Sequence, residues 1–213
     1  MHMLPLLRMT GIVLCGGQST RMGADKGLLP ASEGTWAQAA VHKMLALQLP
    51  VALSVNAGQL RAYSLIFPTL ELIVDDHELS LAGPLLALLT IHEHKPKEDL
   101  LILACDMPLI QTDHLRQLLD QQGSHPAYDA YVFTNDGAFE PLCGLYTAKG
   151  LSALMDQLRQ GTLKRFSMKH ALGQLHTFSL PIPNDQKAHF SNLNSPDDLK
   201  QLPGSPDQTP SPL

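Results

Sequence analysis

Leu14-Cys15-Gly16-Gly17-Gln18-Ser19-Thr20-Arg21-Met22-Gly23-Ala24-Asp25-Lys26-Gly27 follows directly on an apolar run at residues 11–15. A short run of Ile, Val and Leu that ends in paired glycines reads as a buried strand delivering the chain into a tight loop. Similar runs recur at residues 51–55, 70–74, 100–105 and 128–134, each at most seven residues long and too short for a helix. Helical spacing fills residues 36–47, 57–66, 84–94 and 112–121 between them. This alternation predicts an α/β three-layer sandwich around a mostly parallel sheet.

Beyond residue 134 the pattern loosens into a strand at 142–146, helices at 147–160 and 162–170, and a strand at 175–180. Ser195-Pro196-Asp197-Asp198 reads as a helix start, with Ser as the cap, Pro in the first turn and acids at the positive dipole end. That helix is expected to run to about residue 202. The 213 residues correspond to roughly 1.4 average domains, so a single domain over 1–202 is expected. Residues 203–213 hold four of the sixteen prolines and little to bury, and are expected to form a mobile tail.

Hydrophobic residues make up 44% and charged residues 16%, which suits a packed core and not a disordered chain. The net charge of −5 and the 5% aromatic content argue against a basic or base-stacking surface for nucleic acid. An anionic ligand must then meet a local cationic site. Cys15, Cys105 and Cys143 are too scattered for a disulfide framework or a paired zinc site. No segment reads as a membrane span or an export signal, and a cytoplasmic protein is expected.

The glycine loop has the parts a nucleoside triphosphate needs. Bare glycines permit close backbone approach, and Arg21 and Lys26 supply positive charge for phosphate oxygens. Its spacing fits neither GxGxxG nor GxxxxGK[ST], which excludes the dinucleotide and Walker-type loops. At the end of the fourth expected strand, Cys105-Asp106-Met107-Pro108 places a carboxylate at the same sheet edge. Asp106 is the candidate ligand for Mg²⁺, which needs only one or two carboxylates beside substrate phosphates and water. Taken alone, the loop can equally be a solvated turn and Asp106 a turn former.

The string GIVLCGGQSTRMGADKGLLP resembles the LAGGxSxRMGxDK signature of the nucleotidyltransferases that attach a nucleotide to the molybdenum cofactor, in particular the guanylyltransferases. Gly16, Gly17, Ser19, Arg21, Met22, Gly23, Asp25 and Lys26 fall in register, and Cys15 replaces the usual Ala. The paired glycines resemble the GTP-using branch. Cys105-Asp106-Met107-Pro108 matches the family's CDxP string, Gly83-Pro84-Leu85 its GPL string, and Asn192-Leu193-Asn194-Ser195-Pro196-Asp197-Asp198-Leu199 is similar to its NxNTPEDL. Ala87 stands where the family has a second glycine, and Glu140 where it often has a neutral polar residue.

The resemblance implies a Rossmann-like nucleotidyltransferase fold. It further implies Mg²⁺-dependent transfer of GMP from GTP to the phosphate of molybdenum-bound molybdopterin, with release of pyrophosphate and no covalent intermediate. On this pattern Arg21, Lys26 and Asp106 are catalytic. Leu14, Cys15, Gly16, Gly17, Lys26, Asn56, Asp76 and Asp106 bind the nucleotide, Asp106 holds the metal, and Asn192 and Asn194 face the acceptor. Partners that deliver the cofactor, or apoenzymes that accept it, also follow from the resemblance. Asn56 and Asp76 by themselves are equally well a turn residue and a solvated acid. Two alternatives stay open: transfer that uses CTP or a sugar 1-phosphate acceptor, and a nucleotide-binding regulator without turnover.

Lys164, Arg165 and Lys169 either add charge for the acceptor or form a solvated basic face. His92-Glu93-His94 does not suit a metal, because i and i+2 on a helix face different ways. Cys143 reads as a buried strand thiol.

Overall fold

The computed structural model describes residues 9–16, 25–193 and 198. Gly17, Arg21, Asn194, the helix expected from Ser195 apart from helical Asp198, and the tail expected from 203 fall outside the described residues. The strands are β1 (Met9–Leu14), β2 (Val51–Val55), β3 (Glu71–Val74), β4 (Asp99–Ala104), β5 (Ala130–Asn135), β6 (Ala138–Tyr146) and β7 (Thr177–Pro181). The helices are α1 (Trp36–Leu45), α2 (Leu60–Ile66), α3 (Pro84–His94), α4 (Thr112–Ser124), α5 (Ala148–Arg159) and α6 (Met168–Leu172), with 3₁₀ turns at Lys26–Leu28, His77–Leu79 and Asn184–Phe190.

The seven strands form one sheet in the order β3-β2-β1-β4-β6-β5-β7. Pairing is parallel except around β6, which runs antiparallel to both β4 and β5. Alternate residues of each central strand feed opposite layers, as a period of two requires. Val13, Leu53, Leu101 and Leu103 meet the face covered by α1, α2 and α4. Ile12, Ala52, Leu100 and Ile102 meet the face covered by α3, α5 and α6. The expected three-layer α/β sandwich is present.

Four local expectations change. The helix expected over 57–66 begins only at Leu60, because Asn56 and Gln59 exchange side-chain-to-backbone hydrogen bonds that hold a turn there. The helix expected over 162–170 shrinks to α6, whose cap is Ser167; the Ser167 hydroxyl accepts from the His170 amide. The strand expected over 175–180 shifts to β7. Finally, β6 is nine residues long and antiparallel, joined to β5 through Asp136 (φ 48°) and Gly137 (φ 80°). Two consecutive positive φ values make a type I′ hairpin turn, for which Asp-Gly is a preferred pair.

The parallel register brings the carboxyl ends of β1, β2, β3 and β4 to one edge. Leu14 pairs with Ser54 and with Ala104, and Ser54 with Ile73. The chain winds from β1 outward to β2 and β3 on one side, then returns to place β4 on the other. The crevice above β1 and β4 is therefore a topological switch point, where open α/β sheets bind ligands.

Candidate active site

Cys15-Gly16 leaves β1 on one side of this crevice, and Cys105-Asp106 leaves β4 on the other. Lys26 Nζ reaches Asp106 Oδ2 at 3.1 Å and closes the gap. Their side chains are 26% and 18% exposed, so neither stands fully in solvent. The other carboxylate oxygen, Asp106 Oδ1, is buried with no hydrogen-bond partner among the described residues. A buried carboxylate oxygen lacking a partner is costly, and its presence at a sheet edge calls for a ligand.

Asp25 explains why Lys26 points where it does. Its Oδ1 accepts from the Gly27 amide at 3.0 Å and from the Tyr63 hydroxyl at 3.0 Å, while Oδ2 accepts from Gln59 Nε2 at 2.8 Å. The carboxylate caps the Lys26–Leu28 turn and ties it to α2. Gln59 also donates to the Cys15 carbonyl at 2.9 Å and accepts from the Asn56 amide at 2.9 Å. These contacts give Asp25, Gln59 and Tyr63 supporting places at the site. Only Asp25 lies in the loop that the sequence singles out, and the sequence alone assigns it no role. Gln59 and Tyr63 carry no local sequence signal.

Leu14 and Cys15 are buried, and their backbones serve the sheet: the Leu14 carbonyl accepts from Cys105, and the Cys15 amide donates to Ser54. The Gly16 amide also donates to Ser54, at 3.0 Å. What Gly16 offers is therefore its bare Cα. A Cβ there would lie 2.9 Å from Asp75 Oδ2 and 3.7 Å from the Asn56 nitrogen. Of the paired acids, Asp75 faces the glycine. It accepts from the Ser54 hydroxyl at 3.1 Å, and burial pushes its carboxyl above the usual range. Asp76 instead caps the His77–Leu79 turn, accepting from the Glu78 amide at 2.9 Å.

On the acceptor side, the Leu193 amide donates to the Asp106 carbonyl at 2.8 Å. This places exposed Asn192 next in sequence to a residue docked on the β4 loop. Lys43 of α1 supports the same loop by donating to the Pro108 carbonyl at 2.6 Å, and burial lowers its pKa to about 8. Glu140 sits at the start of β6, its carboxyl raised by burial while the Lys169 charge and Asn135 work against that rise.

Other groups set aside in the sequence stay apart from this site. Among the described residues no group of three or more His, Cys, Asp or Glu is placed to hold a metal. His92 bonds Ser152 and His94 bonds the Thr90 carbonyl. Cys143 is fully buried, and burial pushes its thiol up, as befits a core residue.

The model of the MobA-like NTP transferase domain matches residues 11–175. The chain belongs to the MobA-like NTP transferases. The transferase is similar to a molybdenum cofactor guanylyltransferase of Serratia proteamaculans, 31% identical over 89% of this chain and 91% of that one. It is also similar to a probable molybdenum cofactor guanylyltransferase of Flavobacterium johnsoniae, 28% identical over 91% and 96%. Its fold is shared with the crystal structure of molybdopterin-guanine dinucleotide biosynthesis protein A from Archaeoglobus fulgidus, with TM-score 0.71, 23% identity and coverage of 91% and 96%. A nucleotidyl transferase from Methanothermobacter has the same fold at 14% identity, with TM-score 0.69 and coverage of 91% and 95%. No helix among the described residues is long and apolar enough to cross a membrane.

Proposed function

We propose that this nucleotidyltransferase moves GMP from GTP to the terminal phosphate of molybdenum-bound molybdopterin and releases pyrophosphate. The observation that carries the reading is the Lys26–Asp106 pair across the β1/β4 crevice, with Asp106 Oδ1 buried beside it and unpartnered among the described residues. The names of the relatives support guanylyl transfer to this cofactor, and the glycine loop and CDxP string support a triphosphate.

Asp106 fits a hard divalent cation: its donor is a carboxylate oxygen, which suits Mg²⁺ and not a soft metal. Mg²⁺ bound there would draw charge from the triphosphate. The acceptor phosphate is already an anionic nucleophile at neutral pH, so no residue needs to remove a proton from it. The obstacle is repulsion between anions and charge gathering on the leaving pyrophosphate. Two unit charges 4 Å apart interact by about 4 kcal/mol at an effective dielectric near 20, so each well-placed cation counts heavily in rate.

In this reading Lys26, held by the Asp25 cap, meets the β and γ phosphates together with Arg21 and balances that charge. Gly16 lets the nucleotide approach the backbone, and Gly17 is assigned to the same nucleotide contact. Asn56 faces the nucleoside, and Asp75, seated against Gly16, takes the role that sequence counting gave to Asp76. A carboxylate in that position can accept from guanine N–H groups or from ribose hydroxyls. We assign Asn192 and Asn194 to recognition of the acceptor, whose source is a cofactor-delivering protein or whose destination is an acceptor apoenzyme.

The test is pyrophosphate release with molybdenum-bound molybdopterin, Mg²⁺ and either GTP or CTP. Turnover with GTP well above that with CTP is expected, along with an approximately 10²- to 10³-fold loss of kcat in Lys26→Ala and Asp106→Asn. Preference for CTP, or near-normal turnover in either variant, contradicts the reading.

A further inference from the structure

Gln59 stands where the separate loops of the site meet, and both ends of its amide are engaged. Oε1 accepts from the Asn56 peptide N–H at 2.9 Å. Nε2 donates to the Cys15 carbonyl at 2.9 Å and to Asp25 Oδ2 at 2.8 Å. The backbone of Gln59 adds a fourth bond, its N–H donating to Asn56 Oδ1 at 3.1 Å, which fixes the way the Asn56 amide faces. One side chain thus joins the exit of β1, the turn after β2 and the turn that carries Lys26.

The polarity of the amide matters as much as its reach. A primary amide presents an acceptor to the one N–H it meets and two N–H donors to the carbonyl and the carboxylate. A carboxylate of the same shape would keep the first contact and set oxygen against oxygen in the other two. An apolar side chain of similar length would leave the Asp25 and Cys15 acceptors and the Asn56 donor without this partner, which is costly wherever they stay out of reach of water. Tyr63 shares the load on Asp25 but touches neither Asn56 nor the first-strand carbonyl through the hydrogen bonds described.

We propose that Gln59 is a positioning residue for the nucleotide. By holding Asn56 and Asp25 against Cys15, it sets the distance between the nucleoside-facing turn and the lysine that meets the phosphates. The inference rests on the triphosphate reading of this crevice and deepens it, since it assigns the spacing of the two ends of the ligand to one amide.

The donor–acceptor direction can be reversed, and that gives the test. Gln59→Glu places a carboxylate against Asp25, and Asp25→Asn places an NH₂ against the Gln59 NH₂. The double variant restores a bond between positions 25 and 59 with the direction inverted, while the oxygen of the new amide at position 25 still accepts from Gly27 and Tyr63. Affinity for GTP in the presence of Mg²⁺ is measured by calorimetry for wild type, both single variants, the double variant and Gln59→Met. KM and kcat for pyrophosphate release are measured in parallel.

Each single variant is expected to weaken GTP binding about tenfold, and the double variant to lose less than the product of the two, because the bond between positions 25 and 59 is restored while the new carboxylate still faces the Cys15 carbonyl. Gln59→Met, which carries no charge, is expected to lose affinity by about the same factor. Losses that simply add in the double variant, or a Gln59→Met protein with wild-type affinity, overturn the role of Gln59 while leaving the transfer reaction untouched. Wild-type protein that binds GTP without turning it over removes the transfer reading alone, and the crossed pattern in affinity still decides for or against Gln59. Wild-type protein that binds no nucleoside triphosphate overturns both.

Discussion

Gly27 shows how much of this site rests on a single missing methyl group. A Cβ there would overlap the hydroxyl oxygen of Tyr63 and come within 3.4 Å of the Cys105 sulfur. Tyr63 is fully buried and anchored to Asp25, so it has nowhere to retreat. Gly27→Ala is expected to cost about 2–3 kcal/mol through overpacking. Most of that cost should vanish against a Tyr63→Phe background, where the obstructing oxygen is gone. Urea midpoints of the four proteins check this, and equal costs in the two backgrounds would show that the obstruction lies elsewhere.

The same scale explains what was and was not readable in the chain. Asp106 was legible because a carboxylate just past a buried strand has a position that topology makes meaningful. Asp25 lay inside the singled-out loop, yet its task of holding Lys26 depends on Gln59 and Tyr63, which are 34 and 38 residues away. Asp75 and Asp76 differ by one residue, and counting along the chain cannot tell which faces inward. The strand ends at Val74, so the first acid continues its alternation toward Gly16 and the second turns away to cap the next segment.

At the level of elements, the central parallel strands were readable because burial on both faces makes them continuously apolar. The reversal of β6 was not read, although Asn135-Asp136-Gly137 between two apolar runs carries the hairpin signal. The β4 loop is an assembled element: β4 brings Asp106, α1 supports it through Lys43, and the segment ending at Leu193 covers its carbonyl. Burial holds the folded Lys43 near pKa 8 against an ordinary 10.5. Between those values the unfolded chain binds more protons than the folded one, so stability rises with pH through that window. Relative to Lys43→Met, the wild type should gain about 2 kcal/mol between pH 7 and 9.5, measured from urea unfolding at the two pH values. Parallel curves for the two proteins would place the lysine charge in solvent.

Across the whole molecule, the C-terminal part of the described chain closes onto the edge that carries the site. His114, at the start of α4, accepts from the Gln111 amide through Nδ1, so its proton lies on Nε2 and donates to Gln186. Its ring also meets those of Phe133, His189 and Phe190 edge-on. Protonation would set an N–H of the ring against the Gln111 N–H. Burial, with the His189 charge, lowers the pKa below 6.5, while Gln186, Gln111 and Asp113 oppose that shift. Below pH 6.5 the unfolded imidazole takes a proton that the folded one declines, so stability is lost as pH falls. The melting temperature of wild type should drop more steeply than that of His114→Gln between about pH 7 and 5. Equal slopes would mean that His114 does not govern this closure.

The whole sheet is arranged so that β1 and β4 deliver opposite charges to one crevice, in a chain whose net charge of −5 gives anions no general welcome. A crystal soaked with GTP and Mg²⁺ tests that arrangement most directly. The triphosphate should lie between Lys26 and Asp106, with the metal on Asp106 Oδ1 and the guanosine near Asn56 and Asp75. A triphosphate bound elsewhere, with Lys26 and Asp106 still paired at 3.1 Å, would contradict it.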